Sequence, residues 1–146
     1  MASKQINVII DTDIGSDIDD AYALLFADKS PEIKIKAIIT NSNDPSRKAR
    51  IAHAFLPSAN IIEGFGIGKS LRTTEIDSDY SAKHISECVD QFNGEDIYYI
   101  SIGALTNLKY LLEQGCKFKK IFIMGGSINK DYSGADQQIA EWNIKN

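Results

Sequence analysis

Short β-rich runs alternate with longer amphipathic runs along most of the chain, and this alternation limits the fold more than any other feature. Residues 6–10 (INVII) read as a buried strand and residues 19–27 as a helix. A strand over 35–40 and a helix over 46–55 follow, then a short strand over 60–63. A helix over 81–92 carries Ile85, Val89 and Phe92 at spacings of four and three. A strand over 97–102, a helix over 105–112 ended by Gly115, and a fifth strand over 120–124 complete the pattern. Strands alternating with helices form βαβ units with right-handed crossovers. The fold class expected is α/β: an open, mostly parallel, Rossmann-like sheet with helices on both faces. No repeat, low-complexity stretch or linker divides the chain, so residues 1–146 are expected to form a single domain. In such sheets ligands bind beyond the carboxyl ends of the strands, where the strand order reverses. Three strand ends run into polar or glycine-rich turns: DTDIGSDIDD (11–20), IGALTN (102–107) and MGGS (124–127). With a strand order of 3-2-1-4-5, the ends of the first and fourth strands flank the crevice.

Composition narrows the function classes. The chain has 146 residues and is 43% hydrophobic, enough to bury a core without disulfide or metal staples. Two cysteines, Cys88 and Cys116, make neither a disulfide framework nor a thiolate metal site. No apolar run reaches the roughly 18 residues of a membrane span. The polar start MASKQ and the short run after it do not form a signal-peptide core. A cytoplasmic protein is therefore expected. A net charge of −4 argues against nucleic acid as partner, because phosphate binding needs clustered Lys and Arg.

The acidic residues are concentrated. Asp11, Asp13, Asp17, Asp19 and Asp20 fall within ten residues. One Asp can cap a helix N-terminus and match its dipole. Five exceed that need, and Asp11 and Asp13 precede the helix. A divalent cation neutralises such a group most simply. Carboxylates suit the hard ions Ca²⁺ and Mg²⁺, whereas zinc wants the His or Cys that this stretch lacks. Gly15 permits the sharp turn that would let the two groups of carboxylates converge.

The stretch DTDIGSDIDDAYALLFA resembles the N-terminal signature of the nucleoside hydrolases, the inosine/uridine-preferring ribohydrolase family. Three further segments agree in order and spacing. SIGALTNL (101–108) is similar to the family's Gly-Pro-Leu-Thr-Asn turn, IFIMGGSI (121–128) to its Met-Gly-Gly strand end, and AEWN (140–143) to its Glu-Phe-Asn sugar-binding motif. The resemblance implies a Ca²⁺-dependent hydrolysis of the N-glycosidic bond of ribonucleosides, with a small-molecule nucleoside as partner. It implies that Asp13 binds the metal and acts as general base, that Asp20 is a metal ligand, and that Thr106 offers its backbone carbonyl to the metal. Asp19, Glu141 and Asn143 would bind ribose hydroxyls. Asn43 is a further ribose contact, with Asn41 as its competitor, and Asp11 would stand behind the metal ligands.

The sequence departs from the family pattern in places. Two extra residues lie between Gly15 and the Asp-Asp pair, so Asp17 competes for the place of Asp19 or Asp20. Ala104 replaces the turn proline, and Ala135 replaces an Asn that precedes the motif Glu. Family members are about twice as long, beyond one ordinary domain. The expectation is a truncated chain lacking a late metal-binding Asp, and so associating as a homo-oligomer or with a complementing second chain. The alternative is a non-catalytic remnant that binds metal or ribose weakly. His53 and His84 read as surface or helix-packing residues. GFGIGKS (64–70) misses the phosphate-loop spacing by one residue. Asp11-Thr12-Asp13 also resembles the nucleophile motif of haloacid-dehalogenase-like Mg²⁺ phosphatases, a lesser alternative that leaves Asp19, Asp20 and AEWN unexplained. Tyr98 and Tyr99 read as core residues, and Trp142 as packing or near the ligand.

Overall fold

The computed structural model describes residues 5–65, 75–126 and 142–145. Five strands form one sheet, parallel as the sequence predicts, in the order β3-β2-β1-β4-β5. They are β1 (Ile6–Thr12), β2 (Ile33–Thr40), β3 (Ile61–Glu63), β4 (Ile97–Ser101) and β5 (Lys120–Ile123). The helices are α1 (Asp19–Lys29), α2 (Pro45–Phe55), α3 (Glu75–Asp90), α4 (Thr106–Glu113) and the short α5 (Trp142–Lys145).

The two-residue period of the strands sorts side chains between two cores. Val8 and Ile10 of β1 pack with Leu24, Ala27, Ile38, Ala52 and Leu56 under α1 and α2. Ile9 points the other way, with Ala37, Ile39, Tyr99, Ile85, Leu108 and Leu111 under α3 and α4. Central strands buried on both faces read as continuous apolar runs, which is why INVII was legible. The edges of the elements moved. β2 begins at Ile33, not 35, because the β1–β2 register shifts between Val8 and Ile9, which pair with Ile35 and Ala37. Lys36 is the extra residue, so the apolar alternation changes phase there. Its ammonium lies 3.0 Å from Glu95 and 4.7 Å above the Phe92 ring. α3 begins at Glu75 rather than 81, and Phe92 falls beyond it in a turn, its N–H donating to Val89 O at 3.0 Å.

Both cysteines are free. Burial pushes the Cys88 thiol up to about 11, so it stays protonated at neutral pH. Cys88 is expected to resist a thiol-specific reagent at pH 8 in the folded protein and to react at once in denaturant. Rapid labelling under native conditions would contradict its place in the α3 core. Among the described residues, no helix is long and apolar enough to cross a membrane.

Candidate active site at the carboxyl ends of β1 and β4

The switch in strand order falls between β1 and β4, and the strand period decides what each residue of DTD faces. Asp11 shares the phase of Ile9 and points toward α4; Thr12 shares the phase of Ile10 and points toward α1. Asp11 is fully buried and accepts three hydrogen bonds. Tyr99 OH donates to Oδ2 at 2.7 Å, and Asn41 Nδ2 and Asn107 Nδ2 donate to Oδ1 at 2.6 and 3.0 Å. Burial nonetheless pushes its pKa up to about 6, with the neighbouring Asp13 adding to the rise.

Asn41 and Asn107 tie the loops to this carboxylate. Asn41 also donates to Ala104 O at 3.2 Å and accepts from Ala104 N at 3.3 Å, fixing the β4–α4 turn. Asn107 donates to Thr40 O at 3.2 Å and accepts from Phe65 N at 2.7 Å, fixing the turn after β3. Two glycines make the close approach possible. A Cβ on Gly103 would lie 2.6 Å from both polar atoms of the Asn41 amide and 2.9 Å from Asp13 N. A Cβ on Gly64 would overlap Thr40 O and lie 2.5 and 2.6 Å from the Asn107 amide atoms.

On the α1 side, Thr12 Oγ1 donates to Asp20 Oδ1 and accepts from Ile14 N at 3.1 Å. Asp20 is 5% exposed. Burial pushes its pKa up to about 6, and Asp13 and Asp19 push in the same direction. Asp13 is 9% exposed, with Ser42 Oγ 3.5 Å from Oδ2. Gly15 takes φ +88° at the turn between the two carboxylates, as its sequence position predicts; a Cβ there would also press on the Ile51 side chain, with Cδ1 2.6 Å away.

The structure therefore brings Asp13 and Asp20 together over the strand ends and puts Asp11 behind them. Asp17 and Asp19 are exposed, so the buried place near Thr12 belongs to Asp20. Asn43 is exposed in the β2–α2 loop, whereas Asn41 is buried in the Asp11 network. Thr106 opens α4, half-buried, directly after the Gly103–Leu105 turn. Asn143 is buried at the same edge, its Nδ2 donating to Ile102 O at 3.3 Å and Met124 O at 3.1 Å. Glu141, Ala135, Ser127 and most of GFGIGKS lie outside the described residues. His53 and His84 are on α2 and α3, lining a groove of about 340 Å³ beside β3 with Arg50 and Glu63, away from the acidic cluster.

Three contributors are not evident from the sequence. Tyr99 reads as a core residue, yet its hydroxyl reaches Asp11. Asn107 reads only as part of a turn, yet its amide donates to Asp11. Lys48 was not singled out at all, although it is 6% exposed and donates from Nζ to Asp13 O and Ser16 Oγ, both at 2.7 Å. A Lys in helical phase with buried Ala52, one turn on, was the available signal.

The donor set decides what ion could sit here. Asp13 and Asp20 are buried hard-oxygen donors that repel one another, which a cation would relieve. Among the described residues, no three His, Cys, Asp or Glu side chains converge as a metal-holding group. The two carboxylates fit an oxygen-seeking ion whose remaining positions go to carbonyls and water.

The Asp11 carboxyl gives a pH signature. Its pKa in the fold lies above its ordinary value, so the fold holds the proton more tightly than the unfolded chain does. Its contribution to stability is complete below about pH 4 and is lost as pH rises through about 6, up to roughly 3 kcal/mol. In chelator, denaturant midpoints of the wild type should fall across that window. The fall should be smaller in Asp11→Asn, where Tyr99 OH can turn to accept. Equal falls in the two proteins would contradict the buried carboxyl.

The sequence profile of a family described as inosine-uridine preferring nucleoside hydrolase matches residues 8–146. The chain is also similar to Uridine nucleosidase 1 of Arabidopsis thaliana, 28% identical over 157 aligned positions that cover 85% of this chain and 46% of that protein. The chain thus spans about half the length of this curated relative.

Proposed function

The chain belongs to the inosine-uridine preferring nucleoside hydrolase family, and from that membership we propose that it takes part in the hydrolysis of ribonucleosides to free base and ribose with the help of a bound calcium ion. The family is metal-dependent in general. The observation that carries the reading is the pair of buried carboxylates, Asp13 and Asp20, at the β1 end beside the switch in strand order. Asp13, Asp20 and the Thr106 carbonyl would hold the ion. Calcium when bound supplies a site that orients a water and makes it more acidic.

The residues of the chain do the rest. Asp13 takes a proton from the attacking water. The water oxygen bonds to the anomeric carbon as the bond to the base nitrogen breaks; the departing base keeps the electron pair and takes up a proton from solvent, to which Asp13 returns the one it accepted. The sugar becomes oxocarbenium-like, and the carboxylate of Asp20 stabilises that positive charge. Asp19, Asn43, Glu141 and Asn143 would hold ribose hydroxyls and orient the ring. Asp11, held by Tyr99, Asn41 and Asn107, fixes the two loops that border the site.

The test is ribose release from uridine and inosine by the purified chain, in calcium and in chelator. Release that requires the metal supports the reading. Release that is indifferent to chelator, or its absence from a folded chain given calcium, overturns it.

A further inference from the structure

We propose that Lys48 is a positioning residue for this site: its ammonium pins the Asp13–Ser16 turn from α2 and so sets the orientation of Asp13. This rests on the functional reading above, and deepens it. Asp44 caps α2, its Oδ1 accepting from Arg47 N at 2.9 Å, and Pro45 follows at the first turn. That start brings Lys48 onto the buried side of the helix with Ala49 and Ala52. From there Nζ reaches Asp13 O at 2.7 Å, Ser16 Oγ at 2.7 Å and Ile14 O at 3.4 Å. Three acceptors on one short turn use the full donor capacity of an ammonium.

The turn needs such a hold. Its local bonds are few: Ser16 N donates to Asp13 O at 3.3 Å, and Ile14 N to Thr12 Oγ1 at 3.1 Å. It opens the Gly15–Ile18 connection that leads into α1, whose start has no side-chain cap. Burial lowers the Lys48 pKa, and the charges of Asp13 and Asp20 work against that fall; the hold itself is on the backbone of the turn.

Lys48→Met keeps the length and removes charge and donors. Hydrogen exchange in the metal-free chain reads the turn directly. The amides of Ile14 and Ser16 are expected to exchange about tenfold faster in Lys48→Met, while Ile9 and Ile10 in β1 keep wild-type protection. In ribose release, kcat should fall about tenfold or more with the nucleoside KM within about twofold, because Lys48 bonds Asp13, Ile14 and Ser16 and none of the residues proposed to hold ribose. Lys48→Arg, which keeps charge and donors, should recover part of the loss. Unchanged exchange at Ile14 and Ser16 overturns the proposal, as does a kcat within about twofold of wild type. Equal acceleration across β1, with kcat and KM both impaired and no recovery in Lys48→Arg, makes the role merely structural and overturns it too. If Lys48→Met does not fold, Ser16→Ala serves in its place: selective acceleration of the Ile14 and Ser16 amides supports the clamp, and unchanged exchange overturns it. Wild-type release without metal dependence would instead remove the functional reading, leaving the exchange result to judge the clamp alone.

Discussion

Asp13→Asn is expected to lower metal-dependent ribose release by about 10²–10⁴-fold, the range ascribed to a positioned general base. The substitution keeps the shape of the side chain and its neighbour Ser42. It removes the basicity and the negative charge that the reaction uses. Lys48 bonds the Asp13 backbone carbonyl rather than the carboxylate, so the turn should stay in place and the thermal midpoint should move little. Steady-state rates at saturating nucleoside, with melting curves of both proteins, check this. Wild-type kcat in folded Asp13→Asn would remove Asp13 from the chemistry.

Gly64→Ala is expected to destabilise the chain by roughly 3 kcal/mol, the upper end of overpacking effects. The added methyl would meet the Thr40 carbonyl, which is backbone, and the Asn107 amide, which is committed to Asp11, Thr40 and Phe65. Neither neighbour can swing aside as a flexible side chain would. Gly64 N also donates to Thr40 O at 3.0 Å, so the two backbones are held close. Gly94→Ala is the comparison. Its φ of +87° gives it backbone strain of about 1–2 kcal/mol, but no heavy atom lies within 4 Å of the added carbon. Denaturant unfolding of the two variants should separate them, with Gly64→Ala the worse. A Gly64→Ala chain as stable as wild type would mean that the β3 end does not press on the Asn107 amide.

The fold was legible because its information is local. Central strands such as INVII are apolar on both faces, and the helices between them keep their own period, so a mostly parallel sheet could be read before any contact was known. The differences were at element ends, one of them at a phase break. Lys36 inserts an extra residue in β2 and hides two residues of the strand. The acidic cluster was legible for its density, and Gly15 for its place between the carboxylates. What stayed hidden depends on contacts across the chain. Asp11 meets Asn41, Tyr99 and Asn107 at separations of 30, 88 and 96 residues, and no local spacing announces them. The hydrogen bond that buries Asp20 needs the Thr12 hydroxyl, whose direction follows from strand parity. Lys48 was hidden because a lysine is ordinarily exposed, and only the cluster of acceptors beside α2 explains its burial.

The central claim is that Asp13 and Asp20 hold a divalent cation at the end of β1. Calcium titration by calorimetry of the wild type and Asp20→Asn tests it most directly. Binding by the wild type, weakened at least about tenfold in a folded Asp20→Asn chain, is the predicted result, since affinity follows ligand charge. Calcium bound equally well by both proteins would contradict it.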